Sequence, residues 1–275
     1  MKHLLTSLLL CFACNGLAQG QEDYHSLYQR GVALAETDSL CEAEQAFREA
    51  LRQSPTNAGN ALIFSNLGTV QRRLGKHTEA LESYALALNL SPLNTAILLN
   101  RASLLLEMGM DDKAYIDYCN VLDVDKGNTS ALLYRAYINL GRHAYKEAET
   151  DYLRLIALEP DNRLAHMGLA TTYQRQKKYA QASELLNTML QTHPEDAGLL
   201  TFRAELEMET ANWEAALYDL SEAIRLEATS ADLYKMRAEV YLHLRQKNKA
   251  KADLERAVQL GMPRKELQDL WNPCR

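Results

Sequence analysis

Small and bulky apolar residues recur along the chain with one long period. Seven alanines, Ala43, Ala80, Ala114, Ala148, Ala182, Ala216 and Ala250, stand 37 residues apart in the first interval and 34 residues apart in every later one. Twelve residues before each stands another small residue: Gly31, Gly68, Ala102, Ala136, Ala170, Ala204 and Ala238. Four residues after each comes a bulky one: Phe47, Tyr84, Tyr118, Tyr152, Leu186, Leu220 and Leu254. No run of Val, Ile or Thr alternates at period two, so the pattern predicts helices and no sheet. Two helices of about a dozen residues and a short turn fill such a unit. Facing small residues let the two backbones approach, and the bulky residue one turn further on fills the space beside that contact.

The boundaries follow from the residues that interrupt helices. Pro55, Pro92, Pro160 and Pro194 lie twelve residues after their alanines, where a missing amide donor ends one unit; Lys126, Ala228 and Met262 take that place elsewhere. The turns LGKH (74–77) and LGRH (140–143) place a glycine where a helix stops. Seven units result, over about 24–57, 61–94, 95–128, 129–162, 163–196, 197–230 and 231–263. Three extra residues near Ala58, Gly59 and Asn60 stretch the first junction and predict a kink or looser packing there. A single hairpin cannot bury its apolar face, whereas a stack buries a continuous core and needs its ends covered. After Pro263, RKELQDLW puts Leu267, Leu270 and Trp271 on one helical face, which makes 264–275 a C-terminal cap. The first unit has no such spare segment and is expected to be more exposed.

Two charged positions repeat in register. Arginine stands thirteen residues before the alanine at Arg30, Arg101, Arg135, Arg203 and Arg237, and aspartate three after it at Asp117, Asp151, Asp219 and Asp253. Every unit with the aspartate has the arginine. Where leucine replaces the arginine, at Leu67 and Leu169, the partner position holds Ser83 and Leu185; Arg30 faces Ala46. A catalytic pair occurs once, whereas this one recurs four times, so it reads as a brace between the two helices of a hairpin.

Other chemistry finds little footing. No GxSxG, HExxH, P-loop or GxGxxG pattern occurs, so neither a catalytic nor a cofactor site is expected. His25, His77, His143, His166, His193 and His243 are scattered one per unit or fewer, without metal-ligand spacing. The formal net charge of −6 disfavours nonspecific attraction to nucleic acid or anionic lipid.

The first residues differ in kind. MKHLLTSLLLCFACNGLAQGQ has Lys2, an apolar stretch from Leu4 to Ala13, then small and polar residues, the order of a secretory signal peptide. Cleavage after Ala18 makes 1–18 the leader, with Gly20 as a second choice. Its apolar stretch falls well short of the ~20 residues that span a bilayer as a helix. Lipidation at Cys14 is the alternative, supported by Ala13 and opposed by Cys11 at a position that prefers an aliphatic residue. The chain is thus expected in the periplasm or outside the cell, or as an envelope lipoprotein if Cys14 is modified. Cys41, Cys119 and Cys274 remain after the leader, widely spaced, and read as three unlinked thiols, with an intermolecular bridge through Cys274 as the alternative.

The 34-residue period, the small–Ala–aromatic–Pro pattern and stretches such as FSNLGTVQRRLGKHTEALESYALALNLSPLN resemble tetratricopeptide repeats over roughly residues 24–263. The early tryptophan of that family is missing, and units six and seven lack the proline. The resemblance implies an all-α, right-handed superhelical solenoid whose first helices line a concave groove for a protein or peptide, with no small-molecule substrate. It places Ser65, Asn66 and Thr69, then Leu99, Asn100 and Ser103, then Leu133, Tyr134 and Tyr137 on that groove. Asn66 and Asn100 occupy a place where an amide reads a bound backbone, donating and accepting at once. The tyrosines offer apolar area with a polar tip. Toward the C-terminus the same face turns acidic, with Glu205, Glu209, Asp232 and Glu239 against Lys235. The basic clamp some members use for a C-terminal carboxylate is replaced by Leu62, Ser65, Ala96 and Leu99. The implied function is a non-enzymatic protein-binding scaffold; the alternative is an assembly component of a cell-envelope complex, self-associating or lipid-anchored.

Overall fold

A computed structural model describes residues 23–272. The expected leader with Cys14, and Cys274 at the other end, lie outside the described residues. Fourteen helices follow one another in seven helix–turn–helix pairs: α1 (Tyr24–Glu36), α2 (Leu40–Gln53), α3 (Asn60–Arg73), α4 (His77–Leu90), α5 (Thr95–Glu107), α6 (Asp111–Val124), α7 (Thr129–Gly141), α8 (Tyr145–Leu158), α9 (Arg163–Arg175), α10 (Tyr179–Thr192), α11 (Ala197–Glu209), α12 (Trp213–Leu226), α13 (Ala231–His243) and α14 (Lys247–Gln259). A 3-10 turn (Arg264–Leu267) and the short α15 (Gln268–Trp271) complete the chain. The described residues are all-α, without a strand. They divide into two compact units, Met1–Leu104 and Leu105–Arg275.

The repeated apolar positions are the core. The seven reference alanines are fully buried, and so are the small residues twelve places before and the bulky ones four places after. The contact is close enough to demand glycine in the first two pairs. A Cβ at Gly31 would lie 2.5 Å from Phe47 Cε1, and one at Gly68 would lie 2.9 Å from Tyr84 Cδ1.

Each hairpin turn has one geometry whatever its sequence. The residue five places before the alanine is left-handed in all seven: Asp38, Gly75, Gly109, His143, Lys177, Ala211 and Arg245. The following N–H reaches back to the carbonyl five residues earlier, as in Lys76 N to Gln71 O (2.8 Å) and Asn212 N to Glu207 O (2.7 Å). This is the double-bonded helix stop that normally selects glycine. LGKH obeys the expectation through Gly75. LGRH corrects it: Gly141 is the last residue of α7, and His143 takes the left-handed position. Five of the seven first helices start on side-chain caps; α3 and α13 do not. Asp23, Asn94, Asn128, Asn162 and Asp196, all twenty residues before their alanine, accept from the N–H three residues on.

In Met1–Leu104 the three extra residues do not loosen the first junction. Leu27, Ala43, Phe47, Ala50, Ile63, Leu67 and Val70 form one core cluster through it. Asn60, which occupies the cap position, is instead buried in the helix; its amide donates to the Ser54 and Pro55 carbonyls and accepts from Tyr24 Oη. In Leu105–Arg275 the terminal segment packs Leu267 and Trp271 onto Ala238, Ala250, Leu254 and Ala257. It enters as a 3-10 turn over Arg264–Leu267 rather than as one helix.

Candidate functional site

The arginine–aspartate pairs are braces. Arg135 and Asp151 make two parallel bonds (2.8 and 2.7 Å), as do Arg203 and Asp219 (2.7 and 2.6 Å) and Arg237 and Asp253 (2.8 and 2.9 Å). The fourth expected pair has one member in each compact unit, Arg101 and Asp117. Each of the three guanidiniums also turns Nη1 to the preceding hairpin, reaching Cys119 Sγ, Asn187 Oδ1 or Ser221 Oγ. The repeats with leucine at this place use a different device. Before Leu67, Glu44 accepts from Lys76 Nζ (2.6 Å) and Arg48 Nη2 (2.7 Å); before Leu169, Glu149 accepts from Lys178 Nζ (3.0 Å) and Gln176 Nε2 (3.1 Å). Burial pushes both carboxyls up, but these hydrogen bonds outweigh it and hold them below the usual carboxylate range. The ionic groups in the packed interior are thereby committed to structure.

What is left uncommitted lies on the first helices. In Met1–Leu104, Asn66 on α3 and Asn100 and Ser103 on α5 are half-buried, and neither asparagine amide has a hydrogen bond among the described residues. Beside Asn66, the Thr69 hydroxyl meets Tyr84 Oη at 3.0 Å. Ser65 does not belong to this surface. It is 6% exposed, because its place on α3 turns it into the packing.

In Leu105–Arg275, Tyr134 and Tyr137 on α7 are 40% and 58% exposed, and Leu164 on the neighbouring α9 is 61% exposed. Size complementarity between successive repeats produces this relief. Tyr118 stacks under Tyr134 (centroids 5.6 Å, planes 17° apart) and lifts it into solvent. One repeat later Tyr152 fills the equivalent place itself, since a Cβ at Gly168 would lie 2.3 Å from Tyr152 Cζ. Burial, then the neighbouring Tyr137 and Asp151, pushes the Tyr152 hydroxyl up to about 12.

Further along the same unit, α11 and α13 enclose an open cavity of about 590 Å³. Glu205, Glu209, Asp232, Glu239 and Lys235, all expected on one face, line it together with Met208, Trp213 and Met236. The apolar members escape the repeat alignment because their positions differ in type from repeat to repeat. Trp213 is held by a parallel stack on His243, with centroids 3.8 Å apart. Glu209 accepts from Gln174 Nε2 at 2.6 Å. Glu205, Asp232, Glu239 and Lys235 have no ion-pair partner among the described residues. Partial burial, and next the charge on Glu209, pushes the Glu205 carboxyl above the usual range.

Comparison with known proteins places these features in context. Tetratricopeptide-repeat family models match residues 15–58, 61–92, 139–206 and 231–260, together more than half of the chain. The chain is similar to a tetratricopeptide repeat protein of known structure from Parabacteroides merdae, with 29% identity and a TM-score of 0.68 over 91% of this chain and 98% of that one. YrrB, described as a tetratricopeptide repeat protein with an unusual peptide-binding site, shares the fold at 16% identity and a TM-score of 0.53, over 66% of this chain and 93% of its own. A Plasmodium berghei protein described as a 58 kDa phosphoprotein is 30% identical over 96 residues, 35% of this chain. The matched region spans only 22% of that relative's length.

Proposed function

Since the chain belongs to the tetratricopeptide-repeat family, we propose that it is an exported, non-catalytic scaffold that holds a protein or peptide partner against its first helices. The observation that carries this reading is the exposure of Tyr134, Tyr137 and Leu164 on first helices, the face that the family resemblance assigns to a partner, although Ile116, Leu158 and Tyr218 on second helices are exposed as well. Aromatic rings with a polar tip and a firm base make good anchors for a partner, and Tyr134 has that base in Tyr118. The peptide-binding site described for YrrB is a precedent within the fold. In the other unit the free amides of Asn66 and Asn100, with Ser103 nearby in sequence, suit a bound backbone.

Affinity capture from extracts of the native cell, with wild type beside Tyr137→Ala/Leu164→Ala and Asn66→Ala/Asn100→Ala, tests the reading. The same prey should be lost with at least one double variant; equal recovery with both removes the partner from these faces. Export is supported by the leader-like residues 1–18. Mass spectrometry of the mature N-terminus should find a free Gln19. A diacylated Cys14 would instead favour the envelope-anchored assembly role.

A further inference from the structure

The chemistry of the second unit specifies more than a protein partner. We propose that Leu105–Arg275 grips an extended basic segment: paired Lys or Arg side chains enter the cavity between α11 and α13, and an apolar residue five to nine positions away rests on Tyr137 and Leu164. This rests on the partner-binding reading above and deepens it.

The cavity carries four carboxylates against the single ammonium of Lys235. Elsewhere in this unit Asp151, Asp219, Asp253, Glu149 and Asp196 each have a cation within hydrogen-bond reach. Glu205, Asp232 and Glu239 are left without one, as are exposed acids such as Glu147 and Glu184, but these three share a concave site with an apolar floor. Met208, Met236 and the Trp213 ring suit the methylene stems of Lys and Arg, whose charged ends would meet the carboxylates at the rim. Partial burial, and next the charge on Glu209, raise the Glu205 carboxyl, and a bound cation would offset both. A single metal ion does not fit. Among the described residues no three His, Cys, Asp or Glu side chains converge as ligands, so the charge to be matched is spread out.

The apolar end of the footprint is set by the fold. First helices of adjoining repeats, taken as about 8–10 Å apart, put α11 or α13 two or three steps from α7, roughly 16–30 Å. An extended chain covers about 3.3 Å per residue, which gives the spacing of five to nine residues. Basic groups would also raise the encounter rate with this face, and salt would weaken it.

Panning a random dodecapeptide display library on the purified full chain tests the inference. Enriched peptides should carry paired Lys or Arg with an aromatic or aliphatic residue five to nine positions away. The best peptide, synthesised with a fluorescent label, should bind at least tenfold more weakly to Glu205→Gln/Glu239→Gln, and more weakly at 500 mM than at 50 mM salt, both chosen as roughly spanning strong to weak screening. These near-isosteric changes remove charge at residues outside the packed core, so the variant should fold. Enrichment without basic residues, no enrichment at all, or a best peptide indifferent to the glutamine variant overturns the inference. If that peptide still loses affinity in Tyr137→Ala/Leu164→Ala, partner binding on this face survives and only its basic character is lost. If neither variant changes binding, both fall.

Discussion

At Arg203 one side chain touches three helices: its own, Asp219 on α12 and Asn187 on α10. Arg135 and Arg237 do the same with Cys119 and Ser221 in place of the asparagine. The partner within the hairpin was legible in the sequence because both members keep their type from repeat to repeat. The partner in the preceding hairpin was not, because a thiol, an amide and a hydroxyl share a place but no chemistry. The alternative brace is equally local. Glutamate directly follows the alanine only at Glu44 and Glu149, and lysine stands four before it only at Lys76 and Lys178, the two junctions where leucine replaces the arginine. A part-buried guanidinium without its carboxylate is costly, whereas two leucines at these places are what repeat five contains. Asp219→Leu should therefore destabilise by about 2 kcal/mol, and Arg203→Leu/Asp219→Leu should recover more than half of that in urea denaturation. A double variant as unstable as the single one would show that the brace does more than satisfy its own members.

At the scale of the element, seven turns share one backbone geometry while only two carry the residue that favours it. A left-handed non-glycine residue costs about 1–2 kcal/mol, partly offset because glycine loses more freedom on folding. Gly75→Ala should then destabilise by about 1 kcal/mol, and Ala211→Gly should stabilise by about 0.5–1 kcal/mol, read as shifts of the urea midpoint. The two signs must be opposite; a destabilising Ala211→Gly would mean that the turn is held from outside the hairpin. Gly141 shows why this was illegible: a glycine in the right motif lay two residues from the position that needed it. The first-helix caps were legible, since Asx recurs at one register position, yet only the N–H bonds distinguish the capping Asn128 from the buried Asn60. Before proline and without it, α8 and α6 end alike, with Glu159 at φ −130°, ψ 82° and Asp125 at φ −125°, ψ 91°. Proline reinforces that exit rather than creating it.

At the scale of the whole molecule, a stack of repeats is held by neighbours alone, so its last member depends on whatever covers it. Trp271 and Leu267 close the second unit over Leu254 and Ala257, with Arg264 over the indole ring at 4.7 Å. Trp271→Ala should cost about 3–5 kcal/mol locally. Amide hydrogen exchange should rise through α13 and α14 and stay unchanged in α1 to α4; a uniform rise would show that stability is shared rather than passed between neighbours. The order of residues alone dictated the seven-fold period, the core positions, the in-hairpin braces and the acidic bias toward the C-terminus, because each depends on spacing within one helix or one hairpin. The tertiary structure decided which first-helix side chains stand open. Whether Tyr134 is lifted by Tyr118 or Gly168 is filled by Tyr152 depends on the sizes of residues one repeat apart. Whether four acids form one cavity depends on Met208, Trp213 and Met236 meeting across two helices. Spacing is a property of the chain, but volume is settled only when neighbouring side chains compete for the same space.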